Sequence, residues 1–93
     1  MTITYDATVD ATDVGVASGV YHMSVPLELD GVDFVLDIDR EGRVLQLEVL
    51  AVSQLFGLME HYGRQLVVPE RLGDPETFDV WGLFPKAPAH VWA

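Results

Sequence analysis

Hydrophobic and polar positions alternate most regularly between Val32 and Leu50. In the first half, Phe34, Leu36 and Ile38 fall on one side of an extended chain, and Asp33, Val35, Asp37 and Asp39 on the other. In the second half, Leu45, Leu47 and Val49 alternate with Val44, Gln46, Glu48 and Leu50. A period of two is what a sheet with one buried face requires. Asp39-Arg40-Glu41-Gly42 between the halves suits a type I turn closed by a left-handed glycine, so the segment predicts a β-hairpin. Upstream, Thr2–Tyr5 and Asp13–Ala17 are shorter β-prone runs, and Ser18-Gly19 reads as a turn into a strand over Val20–Val25. Pro26 ends that strand or confines it to a sheet edge, and Leu29-Asp30-Gly31 predicts one more turn.

The period changes after Leu50. Val52, Leu55, Phe56, Met59 and Tyr62 follow helical spacing, Ser53 stands near the start, and Gly63 is placed as a C-terminal stop. Gln65–Val68 suits one further short strand ended by Pro69, after which Gly73, Pro75, Gly82, Pro85 and Pro88 interrupt any long element. The expected fold is α+β: a small antiparallel β-sheet of four or five strands around the central 32–50 hairpin, with one helix (about 51–62) packed on it and an irregular aromatic C-terminal extension. One domain accounts for the chain, with the sheet in 1–50, the helix in 51–62 and the extension in 63–93.

Composition narrows the function classes. At 93 residues and 49% hydrophobic content the chain can bury a core. Its net charge of −10 is uneven: residues 1–39 carry eight of the fifteen acids and none of the five bases. Nucleic acid and anionic membranes require clustered Lys and Arg, so neither is expected as a partner. A basic protein partner fits an acidic face, and a homodimer is a reasonable way for so short a chain to gain stability. The absence of cysteine excludes disulfides, thiolate catalysis and zinc–thiolate sites. The N-terminal stretch lacks the basic and apolar regions of a signal peptide, which makes the cytoplasm the expected compartment.

Asp37, Asp39, Glu41, Gly42 and Glu48 approach the spacing of a calcium-binding EF-hand loop. Such a loop joins two helices, however. If both flanks are strands, Glu48 cannot fold back as a bidentate ligand, and a solvated acidic hairpin is the better reading. His22, His61 and His90 show no metal-binding spacing, so no metal and no cofactor are expected. The serines sit in no nucleophile elbow, and no glycine-rich phosphate loop occurs. Asp37 with Glu48 is the best candidate acid–base pair, with Arg43 as a neutralising neighbour, but a solvated polar face explains both acids without catalysis. Phe78, Trp81 and Phe84 read as core, and Trp92, beyond the prolines, as a subunit contact.

Tyr5-Asp6, Asp10-Ala11, the run Leu36-Asp37-Ile38-Asp39 leading to Gly42-Arg43-Val44-Leu45, and Leu47-Glu48-Val49-Leu50 with Ser53 together resemble the bacterial family called domain of unknown function 2283. The resemblance spans about residues 3–55. Thr12-Asp13 stands where that family has an apolar–aromatic pair, Gln46 where it has glycine and Val52 where it has alanine; residues 60–93 lie outside the pattern. The resemblance implies a helix packed on an antiparallel sheet and assigns no catalytic residues. Because some members are encoded beside small toxin-like proteins, it also implies an antitoxin- or immunity-like role.

The expectation is therefore a non-enzymatic protein-interaction module whose contact surface includes Asp33, Asp37, Asp39 and Glu48. The alternative is a small-molecule-binding protein or small enzyme with its pocket between the sheet and the Trp81 segment. His22, His61, Trp81 and Trp92 are its candidate pocket or interface residues.

Overall fold

Extended runs that alternate in polarity can bury their apolar sides only by pairing edge to edge under a covering layer. In the computed structural model, which describes residues 1–86, five strands do so: β1 (Thr2–Asp6), β2 (Ala11–Gly15), β3 (Met23–Leu29), β4 (Val32–Ile38) and β5 (Val44–Leu50). The sheet is antiparallel throughout, in the order β1-β2-β5-β4-β3. The fold is α+β, with one α-helix among the described residues, α1 (Leu55–Tyr62), entered through a 3₁₀ turn at Val52–Gln54.

The turns use the residues that tolerate their geometry. Asp30 and Gly31 connect β3 to β4 at φ 49° and 89°, both left-handed as a two-residue hairpin loop requires. Gly42 closes the β4–β5 turn at φ 80°. Pro26 sits inside β3 and not at its end, which is tolerated because β3 is an edge strand.

The register of β4 and β5 departs from the simple alternation. Asp37 pairs with Gln46, but Ile38 pairs with Val44, so Leu45 is an extra residue without a β4 partner. This β-bulge shifts the phase by one residue. Val44, expected on the polar side, is buried with Leu47 and Val49, and Leu45 is released from their face. The carbonyl of Leu45 accepts from the N–H groups of Val16 (2.8 Å) and Ala17 (3.2 Å), which draws the β2–β3 connection across the end of the sheet.

Helix α1 also starts later than expected. Ala51 adopts φ 63°, turning the chain sharply after β5, and Leu55 then sets the helical phase. Leu55 and Leu58 are buried, and Met59 and Tyr62 are packed beside them. Phe56, expected on this face, points outward and is 70% exposed. Gly63 ends the helix at φ 65°, its N–H donating to the Glu60 and Met59 carbonyls.

The rest of the covering layer comes from the segment after the helix. Residues 64–69 form no strand, although the Val67 N–H donates to the Leu83 carbonyl at 2.8 Å. At Glu70–Leu72 the chain pairs briefly with the β4–β5 turn: Val44 N–H donates to the Glu70 carbonyl and Leu72 N–H to that of Gly42. A second 3₁₀ turn, Val80–Leu83, then carries Leu83 and Phe84 onto the sheet. Phe84 meets Phe34 edge to face, ring centres 5.6 Å apart. One continuous core thus joins β3, β4, β5 and α1 to Leu72, Leu83 and Phe84.

Candidate functional site: an open acidic sheet face

Both the helix and the C-terminal segment cover the same side of the sheet. Register then dictates what the other side carries, because residues paired across strands point the same way. Three rows run from β3 to β1. The first is Glu28, Asp33, Leu50, Ala11 and Asp6; the second is Pro26, Val35, Glu48, Asp13 and Thr4; the third is Ser24, Asp37, Gln46, Gly15 and Thr2. Six carboxylates fall in these rows, and no position in them is Lys or Arg. Glu28 lies directly opposite Asp33, and Asp13 directly opposite Glu48. Like charges so placed oppose pairing, so the face carries repulsion that a cationic group laid across it would relieve. Between the acids, Pro26, Val35 and Leu50 form an apolar diagonal that runs from the β3 edge to the central strand β5.

Three of the four expected contact residues meet here. Asp33, Asp37 and Glu48 share the face, with Glu48 diagonal to Asp37 and not opposite it. The hydrogen-bond partner of Asp37 is Ser24 and not Arg43: the Ser24 hydroxyl donates to Asp37 Oδ1 at 2.7 Å and lies 2.8 Å from the Tyr21 hydroxyl. Asp39 is committed elsewhere. Its Oδ1 accepts from the backbone N–H groups of Glu41 and Arg43, both at 2.9 Å, which fixes the turn. With strands on both flanks and Glu48 extended on β5, the acids of this segment do not close into a calcium loop. Among the described residues, no three or more His, Asp or Glu side chains are grouped to hold a metal ion. Asp6, Asp13 and Glu28 join the expected contact residues on this face. Asp13 and Asp6 reach the face only through the long-range pairing of β2 with β5, which carries β1 with it, whereas Glu28 arrives through the local β3–β4 hairpin, opposite Asp33.

The other candidates separate. His22 is exposed where β3 begins, its backbone N–H donating to the Ile38 carbonyl. It borders an open depression of about 180 Å³ with Asp39 and Leu72. His61 lies on α1 against Tyr62, whose hydroxyl donates to Asp30 at 2.6 Å beyond the far end of β3. Trp81 is 39% exposed and not core: it lies edge to face with Tyr62, ring centres 5.1 Å apart, and the Arg64 guanidinium sits 5.1 Å from its ring centre. Leu83 and Phe84, not a cavity, fill the space between this segment and the sheet. Phe78 is half-buried against Gly82, and Trp92 lies outside the described residues.

One further carboxylate has a structural task. Asp10, at φ 52° in the β1–β2 turn, accepts from the Ser53 hydroxyl (2.6 Å), the Ser53 N–H (3.2 Å) and the Tyr5 hydroxyl (3.3 Å). Ala51 has no side-chain oxygen with which to cap the 3₁₀ turn, so Asp10 supplies a cap from a distant hairpin. The Ser53 hydroxyl bond holds the Asp10 carboxyl below its ordinary value against the opposing effect of desolvation, and the Ser53 N–H adds to the lowering. The Tyr62 hydroxyl is pushed above its ordinary value by its bond to Asp30, then by desolvation.

Comparison with family models, curated proteins and solved structures gives no match for this chain. No helix among the described residues is long and apolar enough to cross a membrane.

Proposed function

We propose that this chain is a non-enzymatic protein-interaction module whose open sheet face takes a basic protein partner. The observation that carries this reading is the three-row face with six carboxylates, two pairs directly opposed, and no balancing cation in its rows. A sheet gains stability by covering both faces or by mixing charge signs on the open one. This one does neither, and a partner bearing Lys and Arg beside apolar side chains would complement both its charge and its Pro26–Val35–Leu50 diagonal. The antitoxin- or immunity-like role implied by the resemblance belongs to the same reading, with a small basic protein as the bound species.

The test compares the native chain with an Asp33→Lys, Glu48→Lys double variant in capture experiments at low and at high salt. The expected result is a protein that is retained by the native chain at low salt, released by salt and lost with the variant. A captured protein held equally by both chains would overturn the assignment to this face, as would an empty capture at both salt concentrations.

A further inference from the structure

The two edges of the sheet are unlike. β3 carries Pro26, which has no N–H to offer a further strand, and the Val80–Leu83 turn lies against it. Among the described residues β1 pairs only with β2; it runs without a bulge and contains no Pro or Lys to discourage further pairing. All five of its residues are exposed. Its apolar side chains share the covered side of the sheet but lie beyond the helix and the Val80–Leu83 turn, leaving Ile3 64% and Tyr5 59% exposed among the described residues.

We infer that β1 is the site at which a second copy of this chain adds, antiparallel, to give one continuous ten-stranded sheet. The backbone is poised for it. The Thr4 carbonyl faces β2, where the Thr12 hydroxyl donates to it at 2.7 Å. In an antiparallel pair the inward and outward groups alternate, so the free N–H and C=O groups belong to Ile3 and Tyr5. A two-fold axis through Thr4 sets Ile3 of each copy opposite Tyr5 of the other in hydrogen-bonded pairs, and Thr4 opposite Thr4. An aromatic residue against a β-branched one is among the favourable cross-strand pairs. The charge pattern selects the same occupant: from Thr2 to Tyr5 this edge has no charge, in a chain whose net charge is −10. Asp6, the strand's one acid, falls opposite Thr2 of the other copy and not opposite another carboxylate. Self-complementarity about an axis is what a two-fold dimer requires.

Because that axis stands perpendicular to the sheet, both acidic faces end on the same side and both helices on the other. The interface is short, so association depends on concentration, and because each copy is strongly anionic, added salt strengthens it. This salt response is opposite to that of a basic partner on the acidic face. Failure of one proposal therefore leaves the other standing.

The chain lacks cysteine, so Thr4→Cys introduces a single thiol on the two-fold axis. Opposed residues of a non-hydrogen-bonded pair lie about 4.5 Å apart at Cα, within disulfide range. The full chain should sediment as a dimer at about 0.1–1 mM, and Thr4→Cys should oxidise to a covalent dimer several-fold faster than Thr2→Cys. Ile3→Pro removes an outward N–H that β2 does not use, and Ile3→Lys places a charge at the edge; both should give folded monomers by sedimentation and circular dichroism. A native chain that stays monomeric over this range in low and high salt would overturn the proposal. So would a dimer that survives both Ile3 variants, or one that cross-links no faster through Thr4→Cys than through Thr2→Cys.

Discussion

Gly42 and Gly63 both take positive φ, at 80° and 65°, but their surroundings differ. A Cβ added at Gly63 meets nothing within 4 Å, whereas one added at Gly42 would lie 2.6 Å from the carbonyl oxygen of Leu72. Alanine at Gly63 therefore costs only the left-handed conformation, about 1–2 kcal/mol. Alanine at Gly42 costs that and must also displace the 70–72 segment. Displacement strains or breaks the Leu72-to-Gly42 and Val44-to-Glu70 hydrogen bonds, worth about 1 kcal/mol each. It also uncovers part of Leu72, whose full burial is worth about 1.5–3 kcal/mol. Gly42→Ala should thus lose about 3–5 kcal/mol and exceed Gly63→Ala by about 2 kcal/mol or more. At roughly 4–8 °C per kcal/mol for a domain of this size, the two melting temperatures should differ by about 10 °C. Urea denaturation followed by circular dichroism measures both variants, with an unchanged slope certifying that the midpoints report stability. Equal losses at the two glycines would refute the close approach of Leu72 to the hairpin turn.

Phe84→Ala should cost about 3–5 kcal/mol, because Phe84 is buried against Phe34 in the middle of the core; a loss below about 1 kcal/mol in the same denaturation assay would show that the C-terminal segment does not belong to the core. Asp10 has its folded-state pKa depressed by Ser53, so its ionised carboxylate contributes stability that is present above the ordinary carboxylate value and lost as pH falls through the depressed one. Asp10→Asn should therefore be less stable than the native chain near pH 7, with the gap closing as pH falls below the ordinary carboxylate range; a gap independent of pH would contradict the Ser53 contact.

The β4–β5 hairpin was legible because its alternation, its turn residues and its glycine are contiguous, and the same holds for the Asp30-Gly31 turn and the Gly63 helix stop. Leu45 shows where local reading ends. Nothing in Val44-Leu45-Gln46 marks a bulge, since all three suit a strand, and its position follows from the β2–β3 connection binding the Leu45 carbonyl. Helical spacing likewise fitted Phe56 as well as Leu58 until Ala51 turned left-handed and fixed the phase. The Asp10–Ser53 bond joins residues 43 positions apart, and Asp13 reaches the acidic face only through the pairing of β2 with β5, strands distant in sequence. Asp33, Asp37 and Glu48, being on the hairpin itself, were readable as a surface; its breadth was not. Of the aromatic residues expected as core, Phe84 is buried, but Leu83 takes the buried place expected for Trp81.

The strand order has a consequence for how the chain is made. β5 occupies the centre of the sheet and pairs with both β4 and β2, so the N-terminal hairpin has nothing to dock on until residues near Leu50 leave the ribosome. An isolated two-stranded hairpin is marginal in water, whereas β3, β4 and β5 form from neighbouring segments through short turns and can assemble early. β1 and β2 are thus made before the strand they dock on and are the last of the sheet to be placed. During that interval the unprotected edge of β1 and its exposed Ile3 and Tyr5 are open to pairing with other nascent chains, which makes slow emergence of residues 44–50 the condition under which this protein would aggregate.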